Sequence, residues 1–311
     1  MNQIAQVQIL MDSELHMYSP VPRPTGEIVI ACENGSVYRL DKEQKQSKLF
    51  TVGGQAAGIA MEPKNSNRVY LADLAHQAIL VREITNNDTE PVTQQIAKEF
   101  EGEPFIGPNS IVLSSTGEKL FFTDSGPWAE TNIQHPNGGV YLIEVEAGRI
   151  TPLAYNCLAY PSGLCLSKEK GERFLYVCET GRNRLLRFFL KESCEFKLSV
   201  FYQFSGRFGP TAIACHPESG NLYIAHYDFK SKICNNLGFE NNGEISILSQ
   251  DGRKLGRVSV PGFPQIISLA FSLYEQGTLI GIDNTAHSTL FQFEVKESTL
   301  EKSEKEKASQ Y

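Results

Sequence analysis

The sequence has one tryptophan, no Cys-x-x-Cys pair, no run of Lys and Arg, and no apolar stretch long enough to span a bilayer. Each absence removes a class of function. With a net charge of -7 and no basic cluster, nucleic acid and anionic membrane surfaces are not expected partners. A membrane span is excluded on length. Met1-Asn2-Gln3-Ile4 begins no basic stretch followed by an apolar core, so no secretory signal is expected. Seven cysteines is an odd number, and none carries the paired spacing of a thiol motif. Cys32, Cys165, Cys178 and Cys215 fall inside apolar runs, where a thiol packs as a small hydrophobe, whereas Cys157, Cys194 and Cys234 fall in connections. The simplest reading is a reduced, cytoplasmic protein.

What the chain has instead is short apolar runs, evenly spaced. An apolar content of 41% and an aromatic content of 10% suffice for a large core, and no compositional break divides the chain. Six times an apolar strand ends in an acidic residue and a turn: EIVIACENG (27–35), VYLADLAHQ (69–77), LFFTDSGPW (120–128), FLYVCETGRN (174–183), LYIAHYD (222–228) and LIGIDNTAH (279–287). Self-similarity at a period of roughly fifty residues means radial repetition, because one unit cannot bury its own apolar faces and must stack on the next. The fold class is therefore all-β, a six-bladed β-propeller.

Each unit parses into an inner strand opened by a Pro or Gly turn, then second, third and outer strands. Inner strands are expected to start near Pro20, Gly58, Pro108, Pro161, Pro210 and Pro264. Third strands read SVYRL (36–40), AILVREI (78–84), GVYLIEV (139–145), RLLRFFL (184–190), EISILS (244–249) and TLFQFEV (289–295), rich in the β-branched and aromatic residues that strands favour. The sixth unit has no outer strand of its own. IAQVQILM (4–11) is expected to pair with the last blade and close the ring, which removes an exposed edge. The domain so defined spans residues 1–295. The tail, 296–311, has one strong apolar residue, Leu300, among Lys, Glu and Ser, and cannot offset its ordering entropy unless it docks on a partner in a larger assembly.

Glu33, Asp73, Asp124, Glu179 and Asp283 recur at the ends of second strands. A carboxylate repeated blade after blade reads as an acceptor for backbone N–H groups at the following turn, since a catalytic acid would stand in one blade. Arg182, Arg184 and Arg187 alternate along a strand and read as a solvated face. The starts of the inner strands ring the mouth of the central channel, and the segments that reach it are 17–22, 56–63, 107–117, 160–167, 209–220 and 263–271, which contain Tyr18, Asn109, Ser162, Thr211 and Gln265.

GPNSIVLSSTGEKLFFTDSG (107–126) and YPSGLCLSKEKGERFLYVCETGRNRLLRFFL (160–190) resemble the six-bladed calcium-dependent phosphotriesterase superfamily, which includes senescence marker protein/gluconolactonase, paraoxonases and strictosidine synthase-like proteins. The resemblance implies a divalent cation at the mouth, held by a Glu, two Asn and an Asp. Only Asn109 carries over; Tyr18 stands for the Glu, Ser162 for the second Asn and Thr211 for the Asp. Neutral oxygens do not compensate a calcium ion, so no metal or other cofactor is expected unless acids such as Asp12 or Glu14 reach the channel. The metal-free amine–aldehyde condensation of strictosidine synthase needs a Glu in the last blade, where this chain reads Gly262-Phe263-Pro264-Gln265-Ile266.

Of the histidines near the mouth, His226 ends an apolar strand and is the candidate general base. No His stands beside a nucleophile in a strand–turn–helix context, so no triad is read. Two long mouth loops, 126–138 with Trp128 and His135 and 228–242 with Phe239, are candidate binding surfaces. The expectation is a metal-depleted pseudoenzyme that binds a small molecule or a protein partner on the mouth face. The alternative is an atypical lactone or ester hydrolase with Asn109 orienting the substrate and His226 as base.

Overall fold

The computed structural model describes residues 2–62, 67–84, 92–169, 171–191, 196–205, 208–228, 242–285 and 287–296. Cys194, Cys234, Phe239 and the tail from 297 lie outside them. The described chain forms six mainly antiparallel blades around a central axis, with a separate two-stranded pair, Glu99–Phe100 and Glu103–Pro104. From the axis outward, blade 1 is Met17–Pro22, Ile28–Cys32, Ser36–Leu40 and Gln46–Thr51, and blade 2 is Ala56–Met61, Arg68–Asp73, Ala78–Glu83 and Gln94–Ala97. Blade 3 is Pro108–Leu113, Lys119–Asp124, Gly138–Glu144 and Arg149–Leu158; blade 4 is Pro161–Leu166, Phe174–Glu179, Arg184–Leu190 and Phe196–Gln203. Blade 5 is Phe208–Cys215, Leu222–Asp228, Asn242–Leu248 and Lys254–Pro261. Blade 6 is Ile266–Phe271, Thr278–Asp283 and Ser288–Glu294, with Gln8–Ser13 as its outer strand.

The N-terminal segment closes the ring as expected, but it is two strands rather than one. Gln8–Ser13 pairs antiparallel with Ser288–Glu294 of the last blade. Asn2–Ile4 pairs in parallel with the outer strand of blade 5, Asn2 opposite Arg257, and makes that blade five-stranded. The chain start thus bridges two blades.

Among the described residues there are six hydrophobic clusters, and each lies between consecutive blades. Lys119–Asp124 shows why: Leu120 and Phe122 pack toward blade 2, while Phe121 between them packs toward blade 4. Successive strand residues point to opposite faces, and both faces are covered, so the strand reads as a continuous apolar run. This accounts for the repeats without any appeal to function.

Several local expectations change. Cys157 sits in the outer strand Arg149–Leu158 and is exposed. The arginines after Glu179 are not simply a solvated face. Arg182 and Arg184 bond the fully buried Glu179, and Arg187 lies 4.9 Å over the Phe174 ring and 5.0 Å over that of Phe201. Among the described residues, no helix is long and apolar enough to cross a membrane.

Candidate functional site

The repeated acids hold the inner strands in place. Asp124 accepts the N–H groups of Gly107 at 2.7 Å and Ile106 at 3.0 Å, just before the inner strand of its own blade. Asp73 accepts from Gln55 N at 3.1 Å, Glu179 from Ala159 N at 2.9 Å, Asp283 from Gln265 N at 2.5 Å and Glu33 from His16 N at 3.2 Å. The main partner is therefore the chain leading into the inner strand; Asp73 and Asp283 also serve the following turn, through His76 N and Thr285 N. Burial pushes the Asp124 carboxyl up to about 6, against the two N–H bonds that lower it.

Blade 5 has no acid at this station, and His226 takes its place. His226 pairs with Pro210, just as Asp124 pairs with Pro108 and Glu179 with Pro161. Its Nε2 lies 2.9 Å from Ser246 Oγ, its ring stands edge-on to Phe204 at 4.6 Å, and its buried Nδ1 has no hydrogen-bond partner among the described residues. Burial first, and then Lys254, lower its pKa to about 3. His226 is not among the residues that line the central channel.

What lines that channel is set by one irregularity repeated in every blade. The pairing of each inner strand with its second strand slips near the mouth: between Tyr18 and Val21, Ala56 and Gly58, Pro108 and Ile111, Pro161 and Leu164, Pro210 and Ala212, and Ile266 and Ser268. A bulge re-aims the residues it holds. Here they are Ser19–Pro20, Ala57, Asn109–Ser110, Ser162–Gly163, Thr211 and Ile267, all of which line the channel. By register the ring is Ser19, Ala57, Asn109, Ser162, Thr211 and Ile267. Asn109, Ser162 and Thr211 thus come together as expected. Tyr18 also lines the channel, one residue before its blade's bulge, whereas Gln265 is not among the lining residues. Gln265 instead forms a bridge with Tyr227.

Close approach of neighbouring inner strands accompanies the bulges. A Cβ on Gly58 would stand 2.7 Å from Asn109 O, and one on Gly163 would stand 2.6 Å from Thr211 O, so no side chain fits either place. Hydroxyls tie most of the other joins. Ser268 Oγ accepts Ser19 N at 3.0 Å; Ser19 Oγ donates to Ile59 O at 3.2 Å and accepts Ile59 N at 3.1 Å. Thr123 Oγ1 donates to Ser162 O at 2.9 Å. Ser162 Oγ lies 2.7 Å from Thr180 Oγ1, which donates to Pro210 O at 2.7 Å, and Thr211 Oγ1 donates to Ile266 O at 2.9 Å.

At the mouth the channel is aromatic. Trp128, 52% exposed, meets Tyr160 edge-on at 4.6 Å and Tyr227 at 5.4 Å, so the blade 3 loop reaches over to blade 5. Tyr160 holds a left-handed backbone, φ 54°, uncommon for a bulky residue and costly enough to need support from its surroundings. That support includes Tyr160 N donating to Thr131 Oγ1 at 3.2 Å and Asn109 Nδ2 donating to Tyr160 Oη at 3.4 Å. Asn109 Nδ2 also donates to Ser125 Oγ at 3.0 Å. Burial pushes the Tyr160 phenol up to about 12 and raises that of Tyr18. His135 is exposed on the blade 3 loop, its N–H on Asn132 Oδ1, away from the channel. Asp12 and Glu14 border a separate cleft with Asp283 and His287.

The cavity is about 550 Å³, and among the described residues no Asp, Glu, His, Lys or Arg lines it. Among the described residues no three acidic, His or Cys side chains cluster so as to hold a metal ion.

Residues 28–280 match the SMP-30/Gluconolactonase/LRE-like region family. The chain belongs to that family. Solved structures agree on the fold. Regucalcin from Agrobacterium tumefaciens, described as a calcium-binding protein, is 17% identical with a TM-score of 0.72, over 94% of each chain. A luciferin-regenerating enzyme is 15% identical with a TM-score of 0.74, over 94% of this chain and 95% of its own. No curated protein matches the sequence significantly.

Proposed function

We propose that this SMP-30/gluconolactonase-like propeller is a non-catalytic binding protein whose central channel takes a small molecule without a divalent ion. The observation that carries this reading is that, among the described residues, no charged side chain or histidine lines the channel. Calcium needs six to eight oxygens and carboxylate charge to offset its lost hydration. Asn109 offers one neutral carbonyl, while the Ser162 and Thr211 hydroxyls are committed to Thr180 and to the Ile266 carbonyl. That donor set does not fit a dication.

Lactone or ester hydrolysis needs a group that takes a proton near neutral pH. Among the described residues the lining offers amides, hydroxyls, phenols and the thiols of Cys165 and Cys215, and burial keeps the Tyr160 and Tyr18 phenols and the Cys165 thiol protonated. The buried thiols Cys32, Cys165 and Cys178 support a reducing compartment, hence a cytoplasmic location.

Metal titration combined with a lactone panel tests the reading. An ion at a hundred times its Kd would stabilise the native state by about 2.7 kcal/mol. We expect no rise in melting temperature with calcium, manganese or zinc, and no turnover. Chelator-insensitive turnover of a lactone would establish the hydrolase instead.

A further inference from the structure

The channel wall changes character with depth. Hydrogen-bonding side chains gather at the mouth, where Tyr18, Gln55, Asn109 and Tyr160 stand before or at the start of their inner strands. Further along the inner strands the lining includes Ile59, Ile111, Leu164, Ile213, Leu269 and Phe271. Four of the hydroxyls between are turned back on the protein: Ser19 on Ile59, Ser268 on Ser19 N, Thr211 on Ile266 O and Ser162 on Thr180. Below the mouth, a molecule in the channel meets a mainly apolar wall, interrupted by the Ser110 hydroxyl and the Cys165 and Cys215 thiols.

We propose that the channel holds an uncharged, elongated amphiphile, its hydrogen-bonding head among Tyr18, Gln55, Asn109 and Tyr160 and its aliphatic chain running down between the inner strands. This rests on the metal-free binding reading above and names the ligand class. A charged head group finds no counter-ion among the described lining residues, so its desolvation goes uncompensated there. A ligand polar along its whole length, such as a sugar, would leave hydroxyls unpaired against the lower wall. Strands of six residues at ~3.3 Å each give a wall roughly 20 Å deep, long enough for an extended chain. The cavity of about 550 Å³ falls within the small-molecule range of roughly 300–1,000 Å³.

Trp128 is the only tryptophan and lines the mouth, so its fluorescence reports on occupancy. The full-length protein is titrated with hexanol, octanol, decanol and dodecanol, and with decanoate and decyltrimethylammonium as charged analogues. The expected result is saturable binding that tightens roughly fourfold per added methylene until the chain fills the channel. Both charged analogues should bind roughly tenfold or more weakly than decanol. Ala57→Phe and Ala270→Phe put a ring into the channel and should abolish binding while the melting temperature holds. If either variant does not fold, the chain-length series decides. Affinity independent of chain length, equal binding of a charged analogue, or no saturation with any alkanol overturns the amphiphile. A metal-dependent rise in melting temperature would instead overturn the metal-free reading, so the two failures are distinguishable.

Discussion

His226 occupies the station where Asp124, Glu179 and Asp283 stand in their blades, so its burial belongs to the frame. Its folded pKa of about 3 lies below the unfolded value near 6.5. Above 6.5 both states are neutral and the stability is fully present; as the pH falls toward 3 the unfolded chain takes up the proton first and stability is lost. The loss should reach about 4 kcal/mol. Urea denaturation at successive pH values checks this, and His226→Gln should flatten the profile across that window. Glu179 is the second sensitive residue. It is fully buried and bonds Arg182, Arg184 and Ala159 N, so Glu179→Ala strands two cations and an N–H; we expect a loss of about 3 kcal/mol by urea denaturation. The sequence disclosed the series of acids because they repeat. It hid the fifth member, since nothing in Ala225-His226-Tyr227 identifies an imidazole as a stand-in for a carboxylate.

At the scale of the strand, second and third strands were legible because burial on both faces leaves unbroken apolar runs. The bulges were not. A slipped pair leaves the apolar pattern almost intact, so the ring position counted from Pro264 falls on Gln265 where register gives Ile267; Tyr18 does line the channel, one residue before the bulge position Ser19. Gly58 and Gly163 were the available signal, glycines in strands where the next backbone comes close. Inter-strand ties are equally hard to read, because serine and threonine look alike whether they face a ligand or a carbonyl. Thr211→Val tests one of them. It leaves the buried Ile266 carbonyl without this donor and should cost about 1–2 kcal/mol, read from the urea midpoint at unchanged m.

For the whole molecule, closure is the dominant constraint. Removing Asn2–Ile4 strips an extra parallel strand from blade 5 and should leave a cooperative transition. Removing residues 2–13 takes away the outer strand of blade 6 and the packing of Leu10 and Met11 at the blade 6–blade 1 junction. That truncation should abolish the cooperative transition and give aggregation, checked by calorimetry and size-exclusion chromatography. The fold's periodicity made the ring legible from sequence, but the division of the first strand in two was not, because a short parallel pairing leaves no pattern of its own.

Gln8 and Gln292, which meet across the closing pair, are 284 positions apart. On a ribosome adding roughly 5–20 residues per second, the first strand waits some 15–60 s for its partner to be made. Throughout that interval the leading segment has apolar Ile9, Leu10 and Met11 with no native sheet edge to join. The ring is therefore completed only after synthesis has passed its last blade, and nascent chains are most open to mispairing with one another just before that moment.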